Sequence, residues 1–191
     1  LPYHFEELEQ IILECDIDFE VIAITESRIP ANKELRTNIN LPGYAIEQMP
    51  TESSKGGVLL YISDKVNYKV RDDLKMSKSK ELESIFIEKI NDNGKNTIIG
   101  CVYRHPKMCP SEFNNFYFEN FLLKLEKEKK QVVLMDDFNI DLMKYSTDAI
   151  ASNILDSLMS KSLLPTINLP TRVTNKSRPL IDNIFFDCID I

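Results

Sequence analysis

The sequence predicts an α+β fold in which β-sheets are covered by helices. Short apolar runs of strand length recur between residues 19 and 186. Some of these runs follow one another directly, as in a β-hairpin, whereas others are separated by stretches whose apolar residues have helical spacing. No internal repeat, low-complexity tract or Gly/Ser linker interrupts the chain, so a single domain is the simplest arrangement.

The first third of the chain contains one predicted helix and two predicted strands. Apolar residues spaced three or four apart between Phe5 and Cys15 fall on one helical face. Residues 19–25 form a short apolar run, which is typical of a buried strand. Residues 57–62 predict a second strand of the same kind.

A β-hairpin is predicted in the middle of the chain. Residues 85–90 and 97–103 are apolar runs that flank Asn93 and Gly94. Asn and Gly are the residues that most readily adopt the positive φ that tight hairpin turns require. The two runs are therefore expected to pair as antiparallel strands.

Two helices and two strands complete the predicted order. Ser111 is a candidate cap for a helix rich in aromatic residues, which ends in a charged segment. Residues 132–135 predict a strand, and Ser146 or Thr147 is a candidate cap for the next helix. Residues 180–186 predict the last strand.

Composition and charge argue against several classes of function. Hydrophobic residues make up 43% of the chain and charged residues 28%, the balance of a globular protein. No apolar run approaches the length of a bilayer span, so no membrane partner is expected. The net charge of −7 argues against coating DNA by phosphate neutralisation alone. The four Cys and two His lack zinc-site spacing, so neither a zinc cage nor a disulfide scaffold is predicted.

Acidic and amide side chains occur where three of the predicted strands begin or end. Glu26 follows the first strand, Asp137 and Asn139 follow residues 132–135, and Asp182 lies in the last strand. Strand ends at one edge of a sheet can converge, so these residues are candidates for one site. Such an oxygen-rich, His-poor set suits Mg²⁺ or Mn²⁺ better than Zn²⁺.

Each candidate also has a purely structural explanation. Taken alone, Glu26 is more simply a loop or helix-cap acid, and Asp137 with Asn139 fits an Asx-turn. Tyr103, at the end of an apolar strand, fits an ordinary aromatic residue at the rim of a core. Asp182 is harder to explain in this way, because a carboxylate within an apolar strand needs a partner to offset its burial.

Seven short motifs occur in order along nearly the whole chain. They are Ile24-Thr25-Glu26-Ser27, Leu41-Pro42-Gly43-Tyr44, Gly56-Gly57-Val58, Val102-Tyr103-Arg104-His105-Pro106, Asp136-Asp137-Phe138-Asn139, Leu169-Pro170-Thr171-Arg172 and Leu180-Ile181-Asp182-Asn183-Ile184-Phe185. Together they resemble the apurinic/apyrimidinic-type endonuclease domain of non-LTR retrotransposons, a DNase I-like member of the endonuclease/exonuclease/phosphatase superfamily. One tetrapeptide would be weak evidence, but seven motifs in the family's order are specific.

The resemblance implies both a fold and an activity. The fold is a four-layer α/β sandwich, in which two mixed β-sheets pack face to face with helices outside and the active site at one end. The activity is Mg²⁺- or Mn²⁺-dependent phosphodiester hydrolysis, which nicks DNA and leaves a 3′ hydroxyl that primes reverse transcription. The implied partners are DNA and a downstream reverse transcriptase domain of the same polyprotein, and the implied location is intracellular, in the nucleus.

Each matching residue carries over one role from the family. Glu26 matches the glutamate that binds the catalytic divalent metal, and Tyr103 matches a tyrosine near the scissile phosphate. Asp137 matches the aspartate that orients or deprotonates the attacking water. Asn139 matches the asparagine that holds a phosphate oxygen and positions that aspartate. Asp182 matches the aspartate that orients a catalytic histidine.

Departures from the family pattern lead to further expectations. The family's first catalytic strand, which carries an Asn, would precede this chain, and its Ser-Asp-His segment would follow it. Residues 1–191 are therefore expected to form one domain that is incomplete at both ends and not fully active in isolation. Neither His4 nor His105 matches the family's catalytic histidine. Asp136 replaces a usual glycine, where it is expected to crowd the site or alter metal binding.

The loop before the last strand contains candidate substrate contacts. Thr171, Arg172, Lys176 and Arg178 fit contacts with substrate phosphates, although a solvated loop explains the basic residues equally well. Two other functions remain open for the chain as a whole. One is a phosphatase or phosphodiesterase of the same superfamily with another substrate, and the other is a degenerate or truncated remnant without catalysis.

Overall fold

Nine strands form two β-sheets in the computed structural model, which describes residues 1–29, 39–51 and 55–187. In chain order they are β1 (Val21–Ile24), β2 (Tyr44–Met49), β3 (Val58–Ser63), β4 (Tyr68–Val70), β5 (Leu82–Lys89), β6 (Thr97–Arg104), β7 (Gln131–Asp137), β8 (Leu163–Pro165) and β9 (Asp182–Asp187). The smaller sheet has the order β1-β3-β2 and is antiparallel. The larger sheet has the order β4-β5-β6-β7-β9-β8 and is mixed, since β6 and β7 run parallel.

Helices lie on the outer faces of both sheets. The α-helices are α1 (Phe5–Cys15), α2 (Pro110–Glu112), α3 (Glu119–Glu128) and α4 (Ala149–Ser160), and a π-helix (Phe113–Phe118) joins α2 to α3. Short 3-10 helices span Pro2–His4, Asp72–Leu74 and Leu142–Lys144. In the part of the chain that the structure describes, each helix is too short or too polar to cross a bilayer.

The two sheets pack face to face through alternate residues of their strands. Val58, Leu60 and Ile62 of β3 share one buried cluster with Ile85 and Ile87 of β5. Intervening residues point outward, where α1 covers the smaller sheet and the helices between residues 110 and 160 cover the larger one. The result is a sequence of helix, sheet, sheet and helix layers, and the predicted four-layer sandwich is confirmed.

The predicted elements with long apolar runs are all present, but three strands are additional. β4 and β8 have three residues each and lie at the two edges of the larger sheet. β2 lies at an edge of the smaller sheet, and all six of its residues are only half-buried. Strands with so little burial lack the continuous apolar run that marks β3 or β5 in the sequence.

Two predicted helix caps are wrong. The helix predicted to start at Ser111 begins at Pro110, with Cys109 in the cap position. α4 is capped by Asp148 instead of Ser146 or Thr147, because Asp148 Oδ1 accepts hydrogen bonds from the backbone N–H groups of the next turn. Asp is as good a cap as Ser, so composition alone does not distinguish these neighbours.

Strand register aligns four polar side chains at one end of the larger sheet. Glu83 of β5 pairs with Tyr103 of β6, Tyr103 pairs with Asp137 of β7, and Asp137 pairs with Asp182 of β9. Residues directly opposite each other in neighbouring strands project to the same face. These four residues therefore form a row, called here the acidic row, which runs across the sheet on its inner side.

Candidate active site

Glu26 lies against the acidic row from the smaller sheet, just beyond the end of β1. The Tyr103 hydroxyl donates a hydrogen bond to Glu26 Oε1 over 2.8 Å, and Arg28 Nη2 donates to Oε2 over 3.1 Å. Burial raises the pKa of Glu26, but these two hydrogen bonds together with the positive charge of Arg28 and a contribution from His105 outweigh it, and the net pKa is lowered. Glu26 is therefore held as an anion at the point where the two sheets meet.

The Tyr103 ring belongs to the core, whereas its hydroxyl belongs to the site. The side chain is 1% exposed and packs in the cluster between the sheets. Burial, followed by the hydrogen bond to Glu26, raises the pKa of Tyr103 above its usual value. The hydroxyl therefore stays protonated, and the negatively charged oxygen that accepts its hydrogen in this structure belongs to Glu26.

Two of the candidate residues have a left-handed backbone conformation. Glu26 has a φ of +48° and Asn139 a φ of +51°. This conformation is uncommon for residues other than glycine, and a residue held in it costs about 1–3 kcal/mol. Such strain persists where surrounding contacts over-determine it and is concentrated at functional sites. Both residues stand at turns directly after strands of the two facing sheets.

Asp137 is the carboxylate of β7 that faces the cleft. It is 8% exposed, and its Oδ1 accepts a hydrogen bond from the Asn139 N–H over 3.0 Å. Burial and then the negative charge of Asp182 raise the pKa of Asp137 to about 7, with a smaller contribution from Glu26. The structure thus brings three carboxylates from separate strands into one electrostatically coupled group.

Asn139 is fixed by the end of β6. Its Nδ2 donates to the Arg104 carbonyl over 2.9 Å, and Arg104 Nη2 donates to the Asn139 carbonyl over 3.0 Å. The guanidinium of Arg104 is buried and also donates to the Phe138 carbonyl. One amide hydrogen and the side-chain oxygen of Asn139 remain for a substrate.

Asp182 connects the acidic row with the loop before β9. The Thr171 hydroxyl accepts hydrogen bonds from the N–H groups of Ile181 and Asp182, each over 3.2 Å. The structure therefore places Thr171 at the edge of the site. The side chains of Arg172, Lys176 and Arg178 are exposed on the same loop and make no ion pair with another described residue.

Asp136 does not line the site, contrary to expectation. β7 alternates between faces, so Asp136 shares the helix-facing side with Val132 and Leu134, whereas Asp137 shares the inner side with Val133 and Met135. Asp136 is 5% exposed, and neither carboxylate oxygen has a hydrogen-bond partner among the described residues. Burial, and then the charges of its neighbours, raise its pKa well above the usual value.

His105 is a neighbour of the site instead of a partner of Asp182. Its ring stands edge-on to the ring of Tyr103, with centroids 6.3 Å apart. Its Nδ1 accepts a hydrogen bond from the Lys107 N–H over 3.1 Å, which places the proton of the neutral ring on Nε2. Burial and the nearby lysines lower the pKa of His105, so the neutral form is favoured.

Sequence patterns did not identify Glu83, the first residue of the acidic row. It is 7% exposed, and its Oε2 accepts a hydrogen bond from the Gly57 N–H over 2.5 Å. A signal was present in the sequence, because an acid two residues before Ile85 falls on the inner face of an apolar strand. Its partner is 26 residues distant in the chain, which only the fold reveals.

The donor set at this end of the fold suits a hard divalent cation. No cage of three His, Cys, Asp or Glu side chains exists among residues 1–29, 39–51 and 55–187. Mg²⁺ requires only one or two carboxylates, since it keeps several of its waters. Repulsion from Asp182 and Glu26 contributes to the raised pKa of Asp137. A cation bound among these three carboxylates would relieve that repulsion.

Solved structures share this fold, although no protein-family model and no curated protein match the chain. The endonuclease domain of TRAS1, a telomere-specific non-LTR retrotransposon, has a TM-score of 0.66 and 12% identity over 95% of this chain and 78% of that one. D. rerio TDP2 complexed with a single-strand DNA product has a TM-score of 0.59 and 13% identity over 96% and 76%. A mannosyl-6-phosphatase of Bacteroides thetaiotaomicron has a TM-score of 0.61 and 14% identity over 98% and 77%. The chain has the DNase I-like fold of endonuclease/exonuclease/phosphatase proteins, as its motifs implied.

Proposed function

We propose that this chain, which has the DNase I-like fold, is the endonuclease of a non-LTR retroelement. It hydrolyses a phosphodiester bond of DNA with Mg²⁺ or Mn²⁺ and leaves a 3′ hydroxyl that primes reverse transcription. The observation that carries the proposal is the convergence of Glu26, Tyr103, Asp137, Asn139 and Asp182 at one end of the sandwich. Such a set provides an anionic base beside neutral donors for a charged phosphate.

The residues divide the chemistry between them. Asp137, with a pKa of about 7, is suited to accept a proton from water near neutral pH. The Asn139 amide donates to a phosphate oxygen, whose charge increases during attack, and the Tyr103 hydroxyl would do the same once its single hydrogen turns away from Glu26. A divalent cation bound at Glu26 would supply positive charge to the same oxygens.

DNA as the substrate is supported by two of the structural neighbours and by the Thr171 loop. One is the endonuclease domain of the TRAS1 retrotransposon, and the TDP2 structure contains a single-strand DNA product. The exposed Arg172, Lys176 and Arg178 extend from the loop that Thr171 anchors beside Asp182, and we assign them to DNA phosphates. The reverse transcriptase partner and a nuclear location are parts of the same proposal.

The direct test is conversion of supercoiled plasmid to the nicked circle. We expect nicking in Mg²⁺ and none in EDTA, and nicked products that a DNA polymerase extends without prior end repair. The assay is run on residues 1–191 and on the same chain with any residues that flank it in its gene. Hydrolysis of sugar phosphates without nicking would contradict the proposal and favour a phosphatase, which the mannosyl-6-phosphatase neighbour exemplifies.

Glu26→Gln is expected to weaken Mg²⁺ binding at least about tenfold, because a carboxylate ligand loses its charge while its shape is kept. The amide oxygen of the substituted side chain still accepts the Tyr103 hydrogen bond, so the turn stays in place. Titration calorimetry measures the affinity. Glu20→Gln is the matched control. Glu20 lies just before β1, at the end of the strand opposite to Glu26, and forms an ion pair with Lys89. Equal affinity of the wild type and Glu26→Gln would remove Glu26 from the ligands.

The nicking rate is expected to rise with pH through about 7. Asp137 acts as a base only when deprotonated, and burial together with Asp182 raises its pKa to about 7. Asp182→Asn removes a like charge, lowers the pKa of Asp137 and therefore shifts the acid limb of the profile to lower pH. The measurement is the pH–rate profile of both proteins at one Mg²⁺ concentration. An unmoved limb in Asp182→Asn would show that another group titrates.

A further inference from the structure

Glu83 is a buried carboxylate to which the chemistry proposed above gives no role. It lies on the inner face of β5, since Ile85 and Ile87, two and four residues later, pack between the sheets. In the β5–β6 ladder it stands directly opposite Tyr103. Burying a carboxylate is costly unless it is hydrogen-bonded, so its partners indicate what it does.

The Gly56–Gly57 segment fits closely against this carboxylate. The Gly57 N–H donates to Glu83 Oε2 over 2.5 Å. A Cβ on Gly56 would lie 2.6 Å from Oε2 and 2.9 Å from Oε1 of Glu83, closer than carbon and oxygen approach without a bond. Both glycines also have positive φ, +90° and +87°. Only residues without a side chain reach the carboxylate in this conformation.

The other side of the same segment holds the turn that carries Glu26. The Ser27 N–H donates to the Gly57 carbonyl over 3.0 Å, and the Arg28 N–H donates to the Gly56 carbonyl over 2.8 Å. A Cβ on Gly57 would collide with Ser27 Oγ. The glycine segment is therefore enclosed between Glu83 on one side and residues 26–28 on the other.

We propose that Glu83 is a positioning residue, which fixes the turn of Glu26 through Gly56 and Gly57. The left-handed backbone of Glu26 needs such support, because strained residues keep their conformation only when surrounding contacts enforce it. The same support keeps Glu26 within hydrogen-bond distance of Tyr103, the neighbour of Glu83 in the ladder. An effect of Glu83 on Mg²⁺ affinity rests on the proposed function, in which Glu26 binds the metal. The positioning of the Glu26 turn by Glu83 does not rest on it.

Hydrogen exchange measured by NMR tests the positioning without metal or substrate. In Glu83→Ala, the amides of Ser27 and Arg28 are expected to exchange about tenfold faster than in the wild type. Their rates are expressed relative to those of amides in the middle of β5, so that a change in global stability is not counted. Glu83→Gln keeps an oxygen that accepts from Gly57, so most of the protection returns. Glu88→Gln is the control, because Glu88 is buried on the same strand but belongs to the ion-pair network of Arg71 and Lys130.

A uniform rise in exchange across the protein, or no rise at Ser27 and Arg28, would overturn the proposal. Mg²⁺ titration then supplies the second readout: Glu83→Ala is expected to lower the affinity about 10- to 100-fold, as loss of a residue that orients a ligand does, and Glu83→Gln to restore it. Absence of Mg²⁺ binding in the wild type would contradict the proposed metal function alone. The exchange rates would still decide the role of Glu83.

Discussion

Asp137→Asn is expected to lower Mg²⁺-dependent plasmid nicking by about 10²- to 10⁴-fold, the usual contribution of a general base. The substituted amide keeps the size of the side chain and an oxygen that accepts from the Asn139 N–H. What the variant loses is the ability to take a proton from water. The measurement is the initial rate of nicked-circle formation at about pH 8, above the pKa of about 7, where the carboxylate of the wild type is mostly deprotonated.

The size of this effect follows from where Asp137 lies. It stands between Tyr103 and Asp182 in the sheet, so the donors of the site surround the oxygen that it would activate. Burial keeps bulk water away, and in such surroundings each charge and dipole acts more strongly than in water. Groups that act as a unit lose most of their effect when one of them is removed.

Asp141→Asn provides a matched control for this substitution. Asp141 lies four residues farther along the chain, and its Oδ1 also accepts backbone hydrogen bonds, from Met143 and Leu180. It is not part of the acidic row, so its conversion to Asn is expected to leave the nicking rate nearly unchanged. Full activity of Asp137→Asn would move the base elsewhere, and equal losses in both variants would indicate a structural effect.

The sequence was sufficient for the elements that bury most surface. β3, β5, β6 and β7 contain apolar runs of strand length that are rich in β-branched residues, and all four were predicted. β2 was not, because an edge strand of half-buried residues, including Glu47 and Gln48, has neither a continuous run nor a clean alternation. Its pairing with β3 depends on contacts that only the folded sheet provides.

Sequence patterns predicted the site residues that lie where apolar strands end. Acids after apolar runs predicted Glu26 and Asp137, but their proximity depends on register, which the sequence does not state. Glu83 was missed because its partner, Gly57, lies just before β3 of the facing sheet. The roles of the acidic row in catalysis stay predictions, because the three solved structures compared with this chain are 12–14% identical to it and share its fold alone.

Asp136 shows how strand alternation separates adjacent residues of identical chemistry. Asp137 faces the cleft beside Asp182, whereas Asp136 is enclosed on the helix-facing side of β7 with Val132 and Leu134. A carboxylate without a hydrogen-bond partner in an apolar core is stable only in its protonated form. The presence of Asp136 therefore makes the free energy of unfolding depend on pH, and this dependence can be measured.

Asp136→Asn is expected to stabilise the metal-free protein increasingly as the pH rises above about 4. Burial, and then the charges of Asp137 and Asp182, raise the pKa of Asp136 well above the usual 3.8 when the chain is folded. The protonated carboxyl therefore contributes stability fully below 3.8, and this contribution is lost as the pH rises towards the folded pKa. The slope is about 1.4 kcal/mol per pH unit. The amide of the variant has no proton to release, so its stability relative to the wild type rises with this slope until the pH reaches the folded pKa of Asp136.

Urea unfolding in EDTA at a series of pH values measures this difference directly. Asp92→Asn, in the exposed loop between β5 and β6, controls for the loss of one negative charge from the whole protein, and its stability is expected to change by no more than about 0.5 kcal/mol. EDTA is needed because the negative charges of Asp137 and Asp182 raise the pKa of Asp136. A cation bound at the acidic row would offset those charges and change the pKa of Asp136. Parallel stability curves for the wild type and Asp136→Asn would mean that Asp136 exchanges no proton on folding. The buried carboxylate would then have to be ionised in the native core, with a counter-charge that the described residues do not provide.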